Sequence, residues 1–269
     1  MIRLFESQLQ GLDRQSSKGN QLKWKDDPYW YKADYTGYEA LSEYMVSHLL
    51  QFSDMKTDEY VLYEIEEIEY RQKSMSGARS RNFLEPGWQL ITLERMYRNH
   101  SGKSLTLELG KLDTPESRLK YLVETVEAMT GLKNFGVYMC KVLTVDCLFL
   151  NEDRHMHNLG ILMNREGQYR LCPLFDHGAA LLADTTMDYP LEGDPLRMIH
   201  DARAKSIAGS FDDQLTACET LYGRHILFSF TRKDIQELLE KAPLYSEVIK
   251  TRVMDILLEQ RRKYGYLFK

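Results

Sequence analysis

The stretch "FLNEDRHMHNLGIL", residues 149 to 162, sets Asp153, Arg154, His155, His157 and Asn158 between two apolar runs. A packed core has no use for these side chains there, so the cluster points to a loop with chemistry to perform. The run that follows, "LGILMNREGQYRLCPLFD", reads as a hairpin, with apolar strands at Leu159 to Met163 and Tyr169 to Phe175 about the turn Asn164-Arg165-Glu166-Gly167. Asp176 falls just past the second strand. Loops on either side of a hairpin emerge at one end of it, so Asp153, Asn158 and Asp176 are expected to converge.

That trio suits phosphoryl transfer. The reaction needs an Asp that orients the attacking hydroxyl and accepts its proton, an Asn for one Mg²⁺, and a second Asp for the metal that bridges the β- and γ-phosphates of ATP. Asp153, Asn158 and Asp176 fill these places, and the D-x-x-x-x-N spacing is that of a protein-kinase catalytic loop. Carboxylate and amide oxygens are the donors that hard Mg²⁺ prefers, which leaves His155 and His157 unneeded as ligands. Zinc on Asp153, His155 and His157 is disfavoured, because alternate positions of an extended segment point to opposite sides and no fourth ligand has a recognisable spacing. A solvated turn without a role would make the two acids flanking an apolar hairpin a coincidence.

Upstream, "NQLKWKDDPYWYKAD" reads as two short strands, Gln21 to Lys25 and Tyr29 to Ala33, joined by Asp26-Asp27-Pro28. The segment "GYEALSEYMVSHLLQF" puts Leu41, Tyr44, Met45, His48 and Leu49 on one helical stripe, and "EYVLYEIEEIEY" alternates Val61, Tyr63 and Ile65 with charged residues as a strand does. A Gly/Ser/Arg-rich loop, "RQKSMSGARSRNFLEPG", is expected next. Helices follow at Gln89 to Asn99, from N-cap Thr114 and Pro115 to a stop at Gly131, at Lys133 to Phe149, and near Asp212 to Tyr222, Lys233 to Lys241 and Ser246 to Tyr264. The fold class is therefore α+β: a two-lobed protein-kinase-like fold with a small β-rich N-lobe, residues 1–70, and a mainly helical C-lobe, residues 71–269. Such a fold needs a strand lysine, a helix glutamate to hold it and a phosphate-covering loop. Lys32 and Glu43 are the candidates, with Glu39 as the alternative, and the loop is "RQSSKGNQLK". There Gly19 permits close backbone approach, and Ser16, Ser17 and Lys18 offer donors and charge.

Composition narrows the partners. With 269 residues, 43% of them apolar, the chain can build a substantial core, and its formal net charge of −5 repels polyanions despite the local run Arg71, Lys73, Arg79 and Arg81. Nucleic acid is not expected as a direct ligand. No apolar run approaches a membrane span and "MIRLFESQLQ" lacks a signal-peptide core, so a cytoplasmic protein with no membrane partner is expected. Cys140, Cys147, Cys172 and Cys218 have no paired spacing and read as buried free thiols.

In these motifs the sequence resembles the HipA-like kinases, bacterial atypical Ser/Thr protein kinases best known as toxins of toxin-antitoxin pairs. Arg14 to Lys23 is similar to that family's R-x-S-x-x-G-x-Q-x-K phosphate loop, and Asn151 to Asn158 with Leu174-Phe175-Asp176 resemble its catalytic and metal-binding loops. The resemblance implies that Ser16, Ser17, Lys18, Gly19, Lys23 and Lys32 meet the nucleotide, that Asp153 is the base and that Asn158 and Asp176 hold Mg²⁺. It also implies that "YEIEEIEYR" pairs with adenine through Glu66 and Ile68, and that Ser16 is a candidate for autophosphorylation, with Ser17 beside it. A phosphate there adds about −1.5 to −2 charge where the triphosphate should sit, which would make the enzyme self-limiting. The implied partners are a protein substrate with Ser or Thr and an antitoxin-like regulator.

Only thirteen residues precede Arg14, so a minimal kinase core is expected, which weakens the case for toxin behaviour. "DRHMHN" also resembles the D-R-H-x-x-N signature of phosphoinositide kinases, and His177 stands where D-F-G has Phe. From Gly178 to Met198, however, Asp184, Asp188, Glu192 and Asp194 face a single base, Arg197, which ill suits an anionic membrane surface. A protein hydroxyl is therefore preferred over a lipid one. A catalytically inactive nucleotide-binding scaffold is the remaining alternative, and no catalytic position is missing to favour it.

Overall fold

Alternating side chains in the first third of the chain build a five-stranded sheet in the order β1-β4-β5-β3-β2, and a second sheet of three strands runs β6-β7-β8. The strands are β1 (Ile2–Arg3), β2 (Lys23–Asp26), β3 (Tyr29–Ala33), β4 (Tyr63–Tyr70), β5 (Lys73–Arg81), β6 (Trp88–Thr92), β7 (Gly160–Asn164) and β8 (Tyr169–Leu171). The helices are α1 (Glu39–Leu50), α2 (Leu93–Ser101), α3 (Leu105–Gly110), α4 (Pro115–Thr130), α5 (Phe135–Phe149), α6 (Pro195–Met198), α7 (Phe211–Tyr222), α8 (Arg232–Glu240) and α9 (Glu247–Lys263). This computed structural model describes residues 1–10 and 21–269. The chain divides into one unit of residues 1–83, 175–202 and 227–269, and another of residues 84–174 and 203–226.

In the first unit the period-2 alternation of a strand does the sorting. Tyr31 and Ala33 of β3 join Leu4, Trp24, Ile68 and Tyr70 in a core on one sheet face. Lys32, between them, points to the opposite face beside Ala78, its cross-strand partner. There Val61, Tyr63 and Ala78 pack on Ala40 of α1. All of α1 except Glu39 and His48 is buried, so the helix has no wet face where a stripe was expected. Its buried serines are satisfied: Ser42 Oγ donates to the Ala180 carbonyl at 2.9 Å and Ser47 Oγ accepts from Tyr63 N at 3.1 Å.

The loop expected after Tyr70 is a strand. β5 pairs along its length with β4, and its Tyr29↔Arg81 to Ala33↔Gly77 register fixes β3 on its other side. Its small residues signal close packing. A Cβ on Gly77 would stand 2.5 Å from the Lys32 carbonyl and 2.4 Å from Ile68 Cδ1, so only glycine fits between β3 and β4.

In the second unit, the helix expected over Gln89 to Asn99 begins later, because Trp88–Thr92 pairs with β7 as a strand. Thr92 then caps α2 by accepting from Arg95 N. The hairpin is present, but its second strand ends at Leu171. α4 starts at the predicted N-cap Thr114, where the structure adds a capping box with Ser117, has Pro115 in its first turn, and stops at left-handed Gly131. α5 packs on α4 and α7 and is apolar almost all round. The four cysteines are buried and free, as expected. No helix of the described residues is long and apolar enough to cross a membrane.

Two outcomes follow from the packing of β3. Gly77→Val should destabilise the protein by roughly 2 kcal/mol, read as a lower urea midpoint; a loss below about 0.5 kcal/mol would mean the strands part easily. Asp34, just after β3, accepts from Ala40 N at 2.7 Å and from the Tyr245 hydroxyl at 2.8 Å. Burial pushes its carboxyl up to about 7 despite those hydrogen bonds. The folded protein thus keeps a proton there that the unfolded chain releases near pH 4, so stability falls as pH rises from about 4 to 7. Asp34→Asn should flatten that decline in urea titrations across the interval, and equal slopes in both proteins would contradict the assignment.

Candidate active site

In the first unit the site forms around one partly buried cation. Lys32 Nζ lies 2.6 Å from Glu43 Oε1 and 2.6 Å from Asp176 Oδ1, with the ring centroid of Tyr63 at 5.4 Å. Glu43 is 1% exposed, and its other oxygen accepts from His177 N at 2.8 Å. Asp176 N donates to the Tyr63 hydroxyl at 3.3 Å. Burial lowers the pKa of Lys32, yet the charges of Asp176 and Glu43 outweigh it and hold the ammonium well above its ordinary range. Lys32 therefore stays charged throughout the neutral range. Asp176 adopts a left-handed backbone, φ 62°, a conformation Asp tolerates better than most residues and one often found where function dictates geometry.

Glu39 is committed elsewhere. Its carboxylate accepts from Thr36 N at 2.7 Å, Thr36 Oγ1 at 2.8 Å, and the Tyr35 and Gly37 amides at 3.2 Å, which closes the turn into α1. Glu43 is the partner of Lys32.

In the second unit the loop after α5 is held from below. α5 ends at left-handed Leu150, and Asn151 N returns to the Asp146 carbonyl at 2.9 Å. The Asp146 carboxylate, buried in an otherwise apolar helix, accepts from Arg154 Nε at 3.1 Å and from Asn151 Nδ2 at 3.0 Å. Burial raises the Asp146 carboxyl while Arg154 opposes that shift. The Arg154 carbonyl accepts from Ser206 Oγ, and Glu152 Oε1 accepts from Arg203 N at 2.8 Å. With both ends fixed, Asn158 Nδ2 donates to the Asp153 carbonyl at 2.8 Å and to Asp153 Oδ2 at 2.9 Å. His155 Nε2 is 3.6 Å from Asp153 Oδ1. His155 Nδ1 accepts from His157 N at 3.2 Å, which puts the proton of the neutral ring on Nε2, toward Asp153.

The other sequence candidates lie on β2 and β4 or outside the described residues. Lys23 lies on β2 opposite Lys32. Ile68 is fully buried in the sheet core, and Glu66 pairs with the N-terminal amine at 3.4 Å and Arg79 at 3.7 Å, both inside β4. Ser16, Ser17, Lys18 and Gly19 lie outside the described residues. Sequence reasoning missed Asp146 and gave Arg154 and Tyr63 no role in the site; a lone acid in the apolar run "KVLTVDCLFL" was the available sign of a buried ion pair.

Among solved structures, the chain is similar to the crystal structure of a Helicobacter pylori proinflammatory kinase, CtkA, with a TM-score of 0.60 and 16% identity over 97% of this chain and 94% of that one. The fold is kinase-like. No protein-family model matches the sequence, and no curated protein does.

For a kinase-like chain the Lys32 cluster invites a direct test. Glu43→Gln would set an amide N–H₂ against either the Lys32 ammonium or His177 N–H, leaving two donors facing each other. The variant should lose about 3 kcal/mol in urea unfolding, as expected for breaking one side of a buried ion pair. Wild-type stability would mean that Asp176 alone satisfies Lys32.

Proposed function

We propose that this chain transfers the γ-phosphoryl group of ATP, with Mg²⁺, to a Ser or Thr hydroxyl of a protein. The observation that carries the proposal is the Lys32 ammonium fixed between the helix carboxylate Glu43 and Asp176. Phosphoryl transfer asks little covalent work of a protein and much positioning of charge, and a strand lysine held by a helix glutamate is the means kinases use. Lys32 then binds the phosphates, Asp153 takes the proton of the attacking hydroxyl, and Asn158 and Asp176 supply oxygen donors for Mg²⁺. As the new P–O bond forms, the bond to the β-phosphate oxygen breaks and ADP leaves.

The donors present suit that metal. Asn158 uses its Nδ2 on Asp153, and among the described residues nothing donates to its amide oxygen. No group of three or more His, Cys, Asp or Glu among the described residues is gathered as a metal site, so an ion would share phosphate and water ligands, as Mg²⁺ commonly does. Bound Mg²⁺ would neutralise charge on the β- and γ-phosphates. The HipA-like motifs and the acidic segment from Asp184 to Asp194 favour a protein acceptor over a lipid one.

Asp153→Asn tests the base. Its amide oxygen can still accept from Asn158 Nδ2, so the loop should hold and ATP should bind nearly as before, while transfer should fall by about 10² to 10⁴. Nucleotide titration and phosphate incorporation into Ser/Thr peptides measure the two separately. Normal turnover would refute Asp153 as base, and phosphorylation of phosphoinositide vesicles with peptides untouched would refute the protein acceptor.

A further inference from the structure

The second unit contains a cavity of about 290 Å³ whose wall includes Arg118, His155, Met156, Lys205, Ser206 and Ile207. The volume suits one side chain with a few waters, since a water takes about 30 Å³. Its wall contains two permanent cations and no Asp or Glu. That bias is unusual in a chain with 40 acidic residues against 35 basic ones. Other cations of the same unit meet carboxylates, as Arg154 meets Asp146 and Arg170 meets Glu85. Arg118 instead donates from Nε to the Leu112 carbonyl at 2.9 Å and from Nη1 to the Ile207 carbonyl at 3.0 Å. Among the described residues neither Arg118 nor Lys205 has a carboxylate partner. The two carbonyls also fix the guanidinium plane, so an incoming anion would freeze little further motion.

The cavity adjoins the proposed base. His155 lines it, and His155 Nε2 is 3.6 Å from Asp153 Oδ1. Leu109, Met156 and Ile207 add apolar surface that can take a short methylene stem. His155 contributes position here, and the charge comes from Arg118 and Lys205.

We infer that this cavity binds the carboxylate side chain of a Glu or Asp lying close to the acceptor Ser or Thr in the protein substrate. The assignment rests on the proposed kinase function and names the feature of the substrate that it would select.

Two fluorescent peptides with a central Ser, one flanked by Glu and the other by Gln, test it by anisotropy on nucleotide-free protein. The Glu peptide should bind more tightly, and added salt should erase the difference. Lys205 is exposed, so Lys205→Glu should leave the melting temperature unchanged. It should weaken the Glu peptide roughly tenfold and leave the Gln peptide alone, and a Lys-flanked peptide should recover binding to the variant. Equal binding of Glu and Gln peptides, or equal weakening of both by Lys205→Glu, would overturn the site. Phosphate transfer to the same peptides separates the two proposals. The expected binding preference without transfer would keep the acidic-residue site and reject the kinase function; transfer without Glu/Gln discrimination would do the reverse.

Discussion

A partly buried ammonium between two carboxylates organises the first unit. Lys32 could not remain charged beneath a sheet without Glu43 and Asp176 at 2.6 Å, and Glu43 could not remain in a nearly dry helix without Lys32 and the His177 amide. Each group makes the others tolerable. The demand reaches outward: β3 must present Lys32 on the α1 face, Gly77 must let β5 approach the Lys32 carbonyl, and Asp176 must take a left-handed backbone. An apolar replacement could give a stable sheet, but it would remove the cation to which the proposed function assigns phosphate binding.

The second unit uses the same physics on a loop. Asp146 and Arg154 pair in the interior, and that pair pins a segment with little regular structure of its own. The loop's backbone groups turn back to the end of α5 and to Ser206, which leaves Asp153 and Asn158 bonded to each other near the surface. The base proposed for this chain must be held and still be reachable. Anchoring the neighbours through a buried pair, with Asp153 bonded to Asn158 beside it, meets both needs.

Local chemistry was legible where local forces decide. The N-cap at Thr114, the stop at Gly131, the β2–β3 hairpin and the spacing from Asp153 to Asn158 depend on residues within a few positions of one another, and all four could be read directly. β5 was not legible. Its Gly, Ser and Arg content signals a loop in isolation, and only pairing with β3 and β4 makes small residues the right ones. β6 was hidden likewise, since Trp88 to Thr92 is as good a helix start as a strand until β7 lies beside it.

The sequence by itself determined the candidate set, because Lys32, Asp153, Asn158 and Asp176 stand out as charged or amide groups where apolar neighbours make them costly. It left open which glutamate holds Lys32, since Glu39 and Glu43 are one helical turn apart on the same face. The tertiary structure decided that point: Glu39 lies where loop amides reach it, whereas Glu43 lies in the interior, where the desolvation of a carboxylate is offset by the Lys32 cation at contact distance together with the His177 amide.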